Sequence, residues 1–428
     1  MSKLCILGAG LSGLSCAYHY SGKSVIYETK SNVGGTASSI VWNGFTFDHG
    51  PHVSFTNDEY VKNLFAETAK ENFLTQKAYN SNYYKGNWIR HPAICNLCDF
   101  PNDINGDILL SFLENKNNES PPQNYKQWCE QAQGKYFAEH FTNVYTEKFW
   151  TVKPETLTSD WAGDRVARPN LKRVIDGSLG LQNDSGHYFT EFRYPRQGGY
   201  GAYSDFWKSA QEKIELKLGH EVVAIDLGNK ELCFKNGNKK KYNTPLISSI
   251  PLPEFINLVK NAPNKVKEAA SQLQCTSIAL INIALTDSPK LPYHWLYIYD
   301  ADILTTRVTI YTNLSPGNSP NGCTALQAEV PFSYHRPLPK SDITKIVLDE
   351  LSSCGIIDLT KVLKAWQVNI KYGYVIYDFN RENAVNVIHS WMRSYGIEPV
   401  GRFGLWQYLW SDQAVKSGKR LANSLISK

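Results

Sequence analysis

Apolar residues at positions 3–7, a helical spacing through Leu14, Ala17 and Tyr18, and a second apolar run, SVIYE, ending at Glu28 predict strand, helix and strand in the first thirty residues. Farther on, Phe137, Phe141, Tyr145 and Phe149 recur at i, i+4 spacing and form one apolar helical stripe, most simply a core face. Residues 219–251 read as a strand, a hairpin with NGNKKKYN at its tip, and a buried strand. Between about 255 and 395 lie the strand patterns SIALINIAL, HWLYIYD, RVTIYTN and TALQAEV, with helices expected near 340–353 and 383–396. In RVTIYTNLSPGNSP, alternation puts Arg307, Thr309, Tyr311 and Asn313 on one face and Val308, Ile310, Thr312 and Leu314 on the other. Pro316, Gly317 and Asn318 then supply a turn. A last helix starts at about Asp412, and the chain shows no internal repeat or low-complexity segment.

Composition narrows the class. A chain of 428 residues calls for two or three structural units. Lys+Arg exceed Asp+Glu by only 45 − 40 = 5, too little to argue for nucleic acid. The 25 tyrosines and 11 tryptophans suit a pocket that stacks on rings and donates hydrogen bonds. No run of 18 apolar residues predicts a membrane span, and the first residues do not have the pattern of a signal peptide, so a cytoplasmic address is expected. The nine cysteines, irregularly spaced, read as free thiols. Cys95 and Cys98 form a lone CxxC without the second pair a zinc ribbon needs, and no metal site is expected.

The strongest local signal is the glycine series Gly8, Gly10 and Gly13 between the first strand and helix. Gly8 permits a tight turn, Gly10 lets a pyrophosphate approach the backbone, and Gly13 permits close helix–strand packing. The helix N-terminus offers amide donors to a diphosphate, and Glu28, at the end of the second strand, is placed for ribose hydroxyls. The continuation ETKSNVGGTASS, with Gly34, Gly35 and Ser38, resembles the FAD domain of the glutathione-reductase type. In that resemblance the backbone of Val222 faces the adenine and the helix from Asp412 points at the flavin. The expected fold class is α/β: a discontinuous Rossmann-like FAD-binding domain (1–60, 196–254 and 398–428), a helical insert domain (61–165), and an antiparallel β-sheet substrate domain (166–195 and 255–397).

The stretches GFTFDHGPHVSF, KGNWIRHP, FWTVKPETLTSDWAGDRVARPN, FRYPRQGGYG, HWLYIYD, RVTIYTNLSP and GRFGLWQY together resemble the UDP-galactopyranose mutase family, closer to its eukaryotic type, nearly end to end. The resemblance implies a mutase interconverting pyranose and furanose forms of a nucleotide-diphosphate sugar, in which N5 of reduced FAD attacks the anomeric carbon and displaces the nucleotide. It implies that Arg165 and Arg307 hold the diphosphate, that Tyr374 and Tyr408 hydrogen-bond it, and that Tyr297 faces substrate. It implies that His52 and Arg402 lie by the flavin, and it puts Asp412 where the family has asparagine. His91, which falls in the family's base pocket, and Asn313 are further substrate-binding candidates. Read without the resemblance, an arginine such as Arg165 is an ordinary surface cation, the tyrosines are core residues, and His52 is a structural histidine.

Departures from the family cluster on the sugar and base contacts. Leu314 stands in place of a substrate-reaching tyrosine, Phe189 in place of an asparagine, and His91, Pro92, Ala93 and Ile94 in place of a Tyr-Pro-Phe-Gln run. A more apolar sugar pocket is expected, and with it a sugar or nucleotide other than UDP-galactose. NAD(P)H or another reductant is the expected electron source, no separate nicotinamide domain is visible, and a homo-oligomer is left open. The alternative is an oxidoreductase like the flavin amine oxidases and protoporphyrinogen oxidases, which share the FAD domain but have no need of paired diphosphate arginines.

Overall fold

The computed structural model describes residues 3–115, 120–181 and 190–426. A five-stranded parallel sheet runs in the order Ile397–Pro399, Leu246–Ser248, Leu4–Leu7, Ser24–Tyr27, Ile214–Lys217. Three distant parts of the chain therefore build one sheet, as the discontinuous reading required. Helix Leu11–His19 lies on it, and helix Ser411–Ile426 packs alongside that helix. Their close approach depends on Gly418, where a Cβ would come within 2.4 Å of the Ser12 carbonyl oxygen. The predicted hairpin is present as the antiparallel sheet Val222–Asp226, Glu231–Phe234 and Lys239–Lys241.

A seven-stranded sheet forms the second unit, in the order Val362–Ile370, Ser277–Leu285, Thr324–Phe332, Arg307–Ile310, Trp295–Ile298, Asn80–Tyr84, Asn87–Arg90. It is antiparallel except where Trp295–Ile298 runs parallel to Asn80–Tyr84. Residues 73–90, which the sequence reading assigned to a helical unit, form strands instead, and two of these extend this sheet. Phe73–Lys77 pairs separately with Glu191–Pro195. Helices do dominate from Asn102 to Ser178, and helix Leu171–Ser178 packs on the 93–95 turn, where a Cβ on Gly177 would strike the Cys95 carbonyl oxygen at 2.2 Å. The segment after residue 165 thus begins within the helical unit.

The stripe Phe137, Phe141, Tyr145, Phe149 divides. Phe137 and Phe141 are buried in the helical core, whereas Tyr145 and Phe149 turn toward Tyr297 of the sheet and Tyr374 in the loop after strand Val362–Ile370. Helix Asn143–Trp150 is pinned to that sheet by Lys148, whose ammonium donates to the carbonyls of Ile298 and Asp300 at 2.8 and 2.7 Å. Burial pushes this lysine down to about 7, with Arg336 adding to the shift.

The alternation read over 307–314 stops at Ile310, and Tyr311–Leu314 is a helical turn. Side chains end the strand: Asn318 Nδ2 donates to the Tyr311 carbonyl at 2.9 Å, and Thr312 Oγ1 accepts from the Ala325 amide at 2.8 Å. No helix among the described residues is long and apolar enough to cross a membrane. All nine cysteines are free.

Candidate active site

The glycine series forms a cradle at the head of the parallel sheet. Gly8 has φ +94°, and a Cβ on Gly13 would lie 2.1 Å from the Gly8 carbonyl oxygen, so the helix can approach the strand only with glycine there. Gly34 (φ +101°) and Gly35 (φ +59°) fold back over Gly10, with the Gly34 amide on the Ala9 carbonyl at 2.9 Å. A Cβ on Gly10 itself would meet nothing nearer than the Gly35 Cα at 4.0 Å, which leaves its backbone open to a close-lying group. The Glu28 carboxylate accepts from the amides of Ala9 and Lys30 at 2.7 and 2.9 Å and sits at the rim of the cradle. Ser38 is buried, donating to the Gly35 carbonyl at 2.8 Å, and so braces the second glycine turn. Val222 opens the antiparallel sheet beyond the rim. An open glycine-lined turn, a helix N-terminus and an acidic residue fit a dinucleotide.

Between this cradle and the seven-stranded sheet, three arginines gather around two tyrosines. Arg307 donates to the Tyr374 hydroxyl at 2.8 Å. The rings of Tyr374 and Tyr408 meet edge-on at 5.8 Å. The Arg165 guanidinium lies 4.8 Å from the Tyr408 ring centre and 4.5 Å from that of Trp410, and Arg402 lies 5.4 and 4.8 Å from Tyr374 and Tyr408. Phe149 packs on Tyr374 at 4.2 Å.

The three cations are held differently. Arg307 forms a two-point ion pair with Glu329, at 2.6 and 2.9 Å. Burial opposes its charge, but the carboxylate outweighs this and raises the guanidinium well above its usual range. Arg165 is held by the carbonyls of Tyr408 (2.7 Å) and Trp161 (3.4 Å), and Arg402 by those of Gly373 (2.8 Å) and Leu409 (3.2 Å). Neither pairs with a carboxylate among the described residues. The Nε of each is buried without an acceptor among the described residues, and the Tyr145 hydroxyl is likewise without a partner among them. Among the described residues, three guanidiniums stand against one carboxylate with donors left unsatisfied, an arrangement able to hold an anion.

His52 lies on the cradle side, against Tyr200. Its Nδ1 bonds the Gly50 carbonyl at 2.8 Å and its ring lies 5.3 Å from Tyr200. Burial pushes its pKa down to about 4, and the charges of Arg402 and Arg307 add to the shift, so the ring is neutral near neutral pH.

The structure therefore brings together Arg165, Arg307, Tyr374, Tyr408 and Arg402, and sets His52 near enough for the charges of Arg402 and Arg307 to act on it. Tyr297 adjoins them: it pairs in register with Arg307, accepts from Trp295 Nε1 at 2.9 Å, and faces His91 at 4.9 Å. His91 also bonds Asn82 Oδ1 at 3.1 Å. Asn313 does not join the group, because its amide nitrogen donates to the carbonyls of Leu291 and Tyr293 at 2.9 and 2.7 Å and ties down that loop. Leu314 is fully buried in the hydrophobic core rather than open to the cluster, so the apolar sugar pocket expected from it has no basis at this position. Phe189 lies outside the described residues. Asp412, in the first turn of the last helix, accepts from Thr56 Oγ1 at 2.8 Å.

Sequence reasoning missed Glu329 and Tyr145. For Glu329 a signal existed: Gln327 and Glu329 stand two apart in the otherwise apolar TALQAEVPF, and two polar residues on one face of a buried strand require partners. Tyr145 was hidden in an apolar helical stripe.

Comparison with known proteins agrees with this architecture. Residues 6–68 match the NAD(P)-binding Rossmann-like domain family. Over 71 residues the chain is 35% identical to 4,4'-diapophytoene desaturase of Staphylococcus aureus, a match to 16% of this chain that spans 14% of the length of that enzyme. The structure superposes on that of reduced UDP-galactopyranose mutase with TM-score 0.92 and 24% identity, covering 100% of this chain and 94% of the other. A protein of Exiguobacterium sp. 255-15, provisionally named a protoporphyrinogen oxidase, gives TM-score 0.75 at 15% identity, with 100% and 99% covered. The chain thus shares the fold of reduced UDP-galactopyranose mutase, an α/β architecture in which a Rossmann-like domain is joined to a largely antiparallel sheet.

Proposed function

We propose that the protein is an FAD-dependent mutase that interconverts pyranose and furanose forms of a nucleotide-diphosphate sugar. The observation that carries this reading is the trio Arg165, Arg307 and Arg402 around Tyr374 and Tyr408, with two buried Nε donors lacking acceptors among the described residues, beside a dinucleotide cradle. A diphosphate leaving group develops negative charge as its bond to the sugar breaks, and preorganised guanidiniums stabilise that charge without reorganisation. Arg165 and Arg307 take the role of diphosphate clamp, and the Tyr374 and Tyr408 hydroxyls supply neutral donors at its edges. Gly8, Gly10, Gly13, Gly34, Gly35, Glu28 and Ser38 would hold FAD. When bound and reduced, FAD would supply the nucleophile that exchanges with the nucleotide at the anomeric carbon. His52, kept neutral by its surroundings and with its Nδ1 proton donated to the Gly50 carbonyl, presents Nε2 as a hydrogen-bond acceptor without adding charge.

An oxidoreductase reading draws support from the protoporphyrinogen-oxidase-like and desaturase likenesses, but both rest on the shared fold or on the dinucleotide region alone. Hydride removal from an apolar substrate has no use for three clustered guanidiniums. The test is anaerobic turnover of a panel of UDP, GDP and dTDP sugars by the dithionite-reduced holoprotein, followed by chromatography of the nucleotide sugars. Conversion of at least one, only in the reduced form and with no peroxide made in air, supports the mutase. No conversion, with peroxide formed from an apolar or amine substrate, overturns it.

A further inference from the structure

Asp48 ends the strand Phe45–Asp48, immediately before the His49–His52 segment. It is fully buried, yet its carboxylate has three donors: Ser39 Oγ at 2.6 Å, the Tyr194 hydroxyl at 2.8 Å and the Tyr200 amide at 2.9 Å. Ser39, its cross-strand partner, also accepts from the Gly201 amide at 2.9 Å. The turn they capture fits tightly, because a Cβ on Gly199 would lie 2.6 Å from Asp48 Oδ1 and 2.4 Å from Ser39 Oγ. On the far side of the turn, the Tyr200 ring lies against His52 at 5.3 Å with an interplanar angle of 30°. The Tyr200 hydroxyl reaches Ser411 Oγ at 2.5 Å, at the start of the last helix.

The Asp48 carbonyl oxygen is used as well. It accepts from Gln327 Nε2 at 2.9 Å, and Gln327 Oε1 accepts from the Tyr311 hydroxyl at 3.2 Å. Gln327 stands two residues before Glu329, so the strand that pairs Arg307 also anchors the cradle side of the cleft. Burial raises Asp48 to about 7 against its three donors. The titratable groups facing it are Tyr194, Tyr200 and Tyr311, and those facing His52 are Arg402, Arg307 and His49.

We propose that Asp48 is a positioning residue that sets the orientation of His52: its carboxylate fixes the turn 198–201, and the Tyr200 ring carried by that turn backs the imidazole. This rests on the site reading above for its functional meaning, but its geometry is tested independently of any sugar. A turn released from Asp48 lets Tyr200 move off His52, and more of the ring is then open to water.

The experiment is a pH titration of histidine ring resonances by NMR on the full chain labelled at its imidazoles, with His52 identified by His52→Gln. In Tyr200→Leu and Asp48→Ala, the His52 midpoint rises by about one pH unit or more toward the ordinary histidine range as burial is lost. Tyr200→Phe keeps the ring and leaves the midpoint in place, and Asp48→Asn, which keeps an acceptor for the Tyr200 amide, shifts it less than Asp48→Ala. Should Asp48→Ala fail to fold, Tyr200→Leu decides alone, since it leaves the Asp48 carboxylate and the turn backbone intact. An unchanged His52 midpoint in Tyr200→Leu overturns the proposal, whether or not the wild type turns over a nucleotide sugar. Where turnover is measurable, Tyr200→Leu lowers kcat more than it raises KM, and a purely stabilising role would lower only the melting temperature.

Discussion

Arg307 and Glu329 face each other across paired strands, and the guanidinium binds both carboxylate oxygens while its Nη2 also reaches Tyr374. The carboxylate is 1% exposed, so it cannot exchange this partner for water. An arginine held at two points is fixed in direction, which a clamp for an anion requires.

Removing one member of this pair leaves a buried charge uncompensated. Glu329→Gln is therefore expected to cost about 3 kcal/mol of stability or more, read as a lower denaturation midpoint. The double variant Arg307→Met, Glu329→Leu recovers most of that loss, because a buried ion pair replaced by apolar groups is often neutral, but it does not recover nucleotide binding. A double variant as unstable as Glu329→Gln would count against this account.

Arg165→Ala and Arg307→Ala each lower kcat/KM for a nucleotide-diphosphate sugar by roughly 100-fold, the worth of one lost transition-state donor. Arg307→Lys does not restore it, since an ammonium cannot span Glu329 and Tyr374 together. Measurement of UDP binding by titration calorimetry for both alanine variants checks that the loss lies at the diphosphate; undiminished binding would place it elsewhere.

Asn313→Ala is expected to lower stability by about 1–3 kcal/mol, because the carbonyls of Leu291 and Tyr293 lose their shared donor, and to leave turnover near wild type. Steady-state kinetics beside a thermal melt separates the two. This position shows where the sequence misled. Alternation grouped Asn313 with Arg307 because nothing local shows that the strand stops at Ile310; the groups that stop it, Asn318 and Ala325, lie farther along the chain. The strand–glycine–helix–strand opening was legible because its contacts are local and each glycine has a steric reason. The pairing of Asn80–Tyr84 with Trp295–Ile298 was not, since periodicity marks a strand and carries no information about a partner some two hundred residues away.

Asp48 and the partly buried His52 give stability opposite pH dependences. Asp48, near 7 when folded and 3.8 when free, holds a proton in the native state that the unfolded chain has released, so its contribution falls as pH rises from about 4 through 7. His52, near 4 when folded and 6.5 when free, refuses a proton the unfolded chain accepts, so stability falls as pH drops from 6.5 through 4; buried His294, also near 4, acts in the same direction. Urea unfolding across pH 4–7.5 should then find that His52→Gln reduces the acid-side loss and Asp48→Asn the loss on approach to neutrality.

Gly13→Ala places a methyl group 2.1 Å from the Gly8 carbonyl oxygen and must push helix Leu11–His19 off the first strand. The purified variant is expected to carry little or no flavin, read as loss of visible absorbance relative to protein. Retention of full flavin content would mean that the cradle tolerates the displacement.

The parallel sheet has a consequence for how the protein is made. Its edge strand, Ile397–Pro399, and the helix that packs beside Leu11–His19 come from the last tenth of the chain, while the cradle they complete is built from the first. A ribosome releasing this chain from its N-terminus exposes the glycine turn long before its neighbours exist, and closing it requires the longest loop in the molecule. The cradle is then completed only after residues 397–426 have been made, and a nascent chain stalled before residue 397 holds an unfinished cradle with an open strand edge for chaperones to cover.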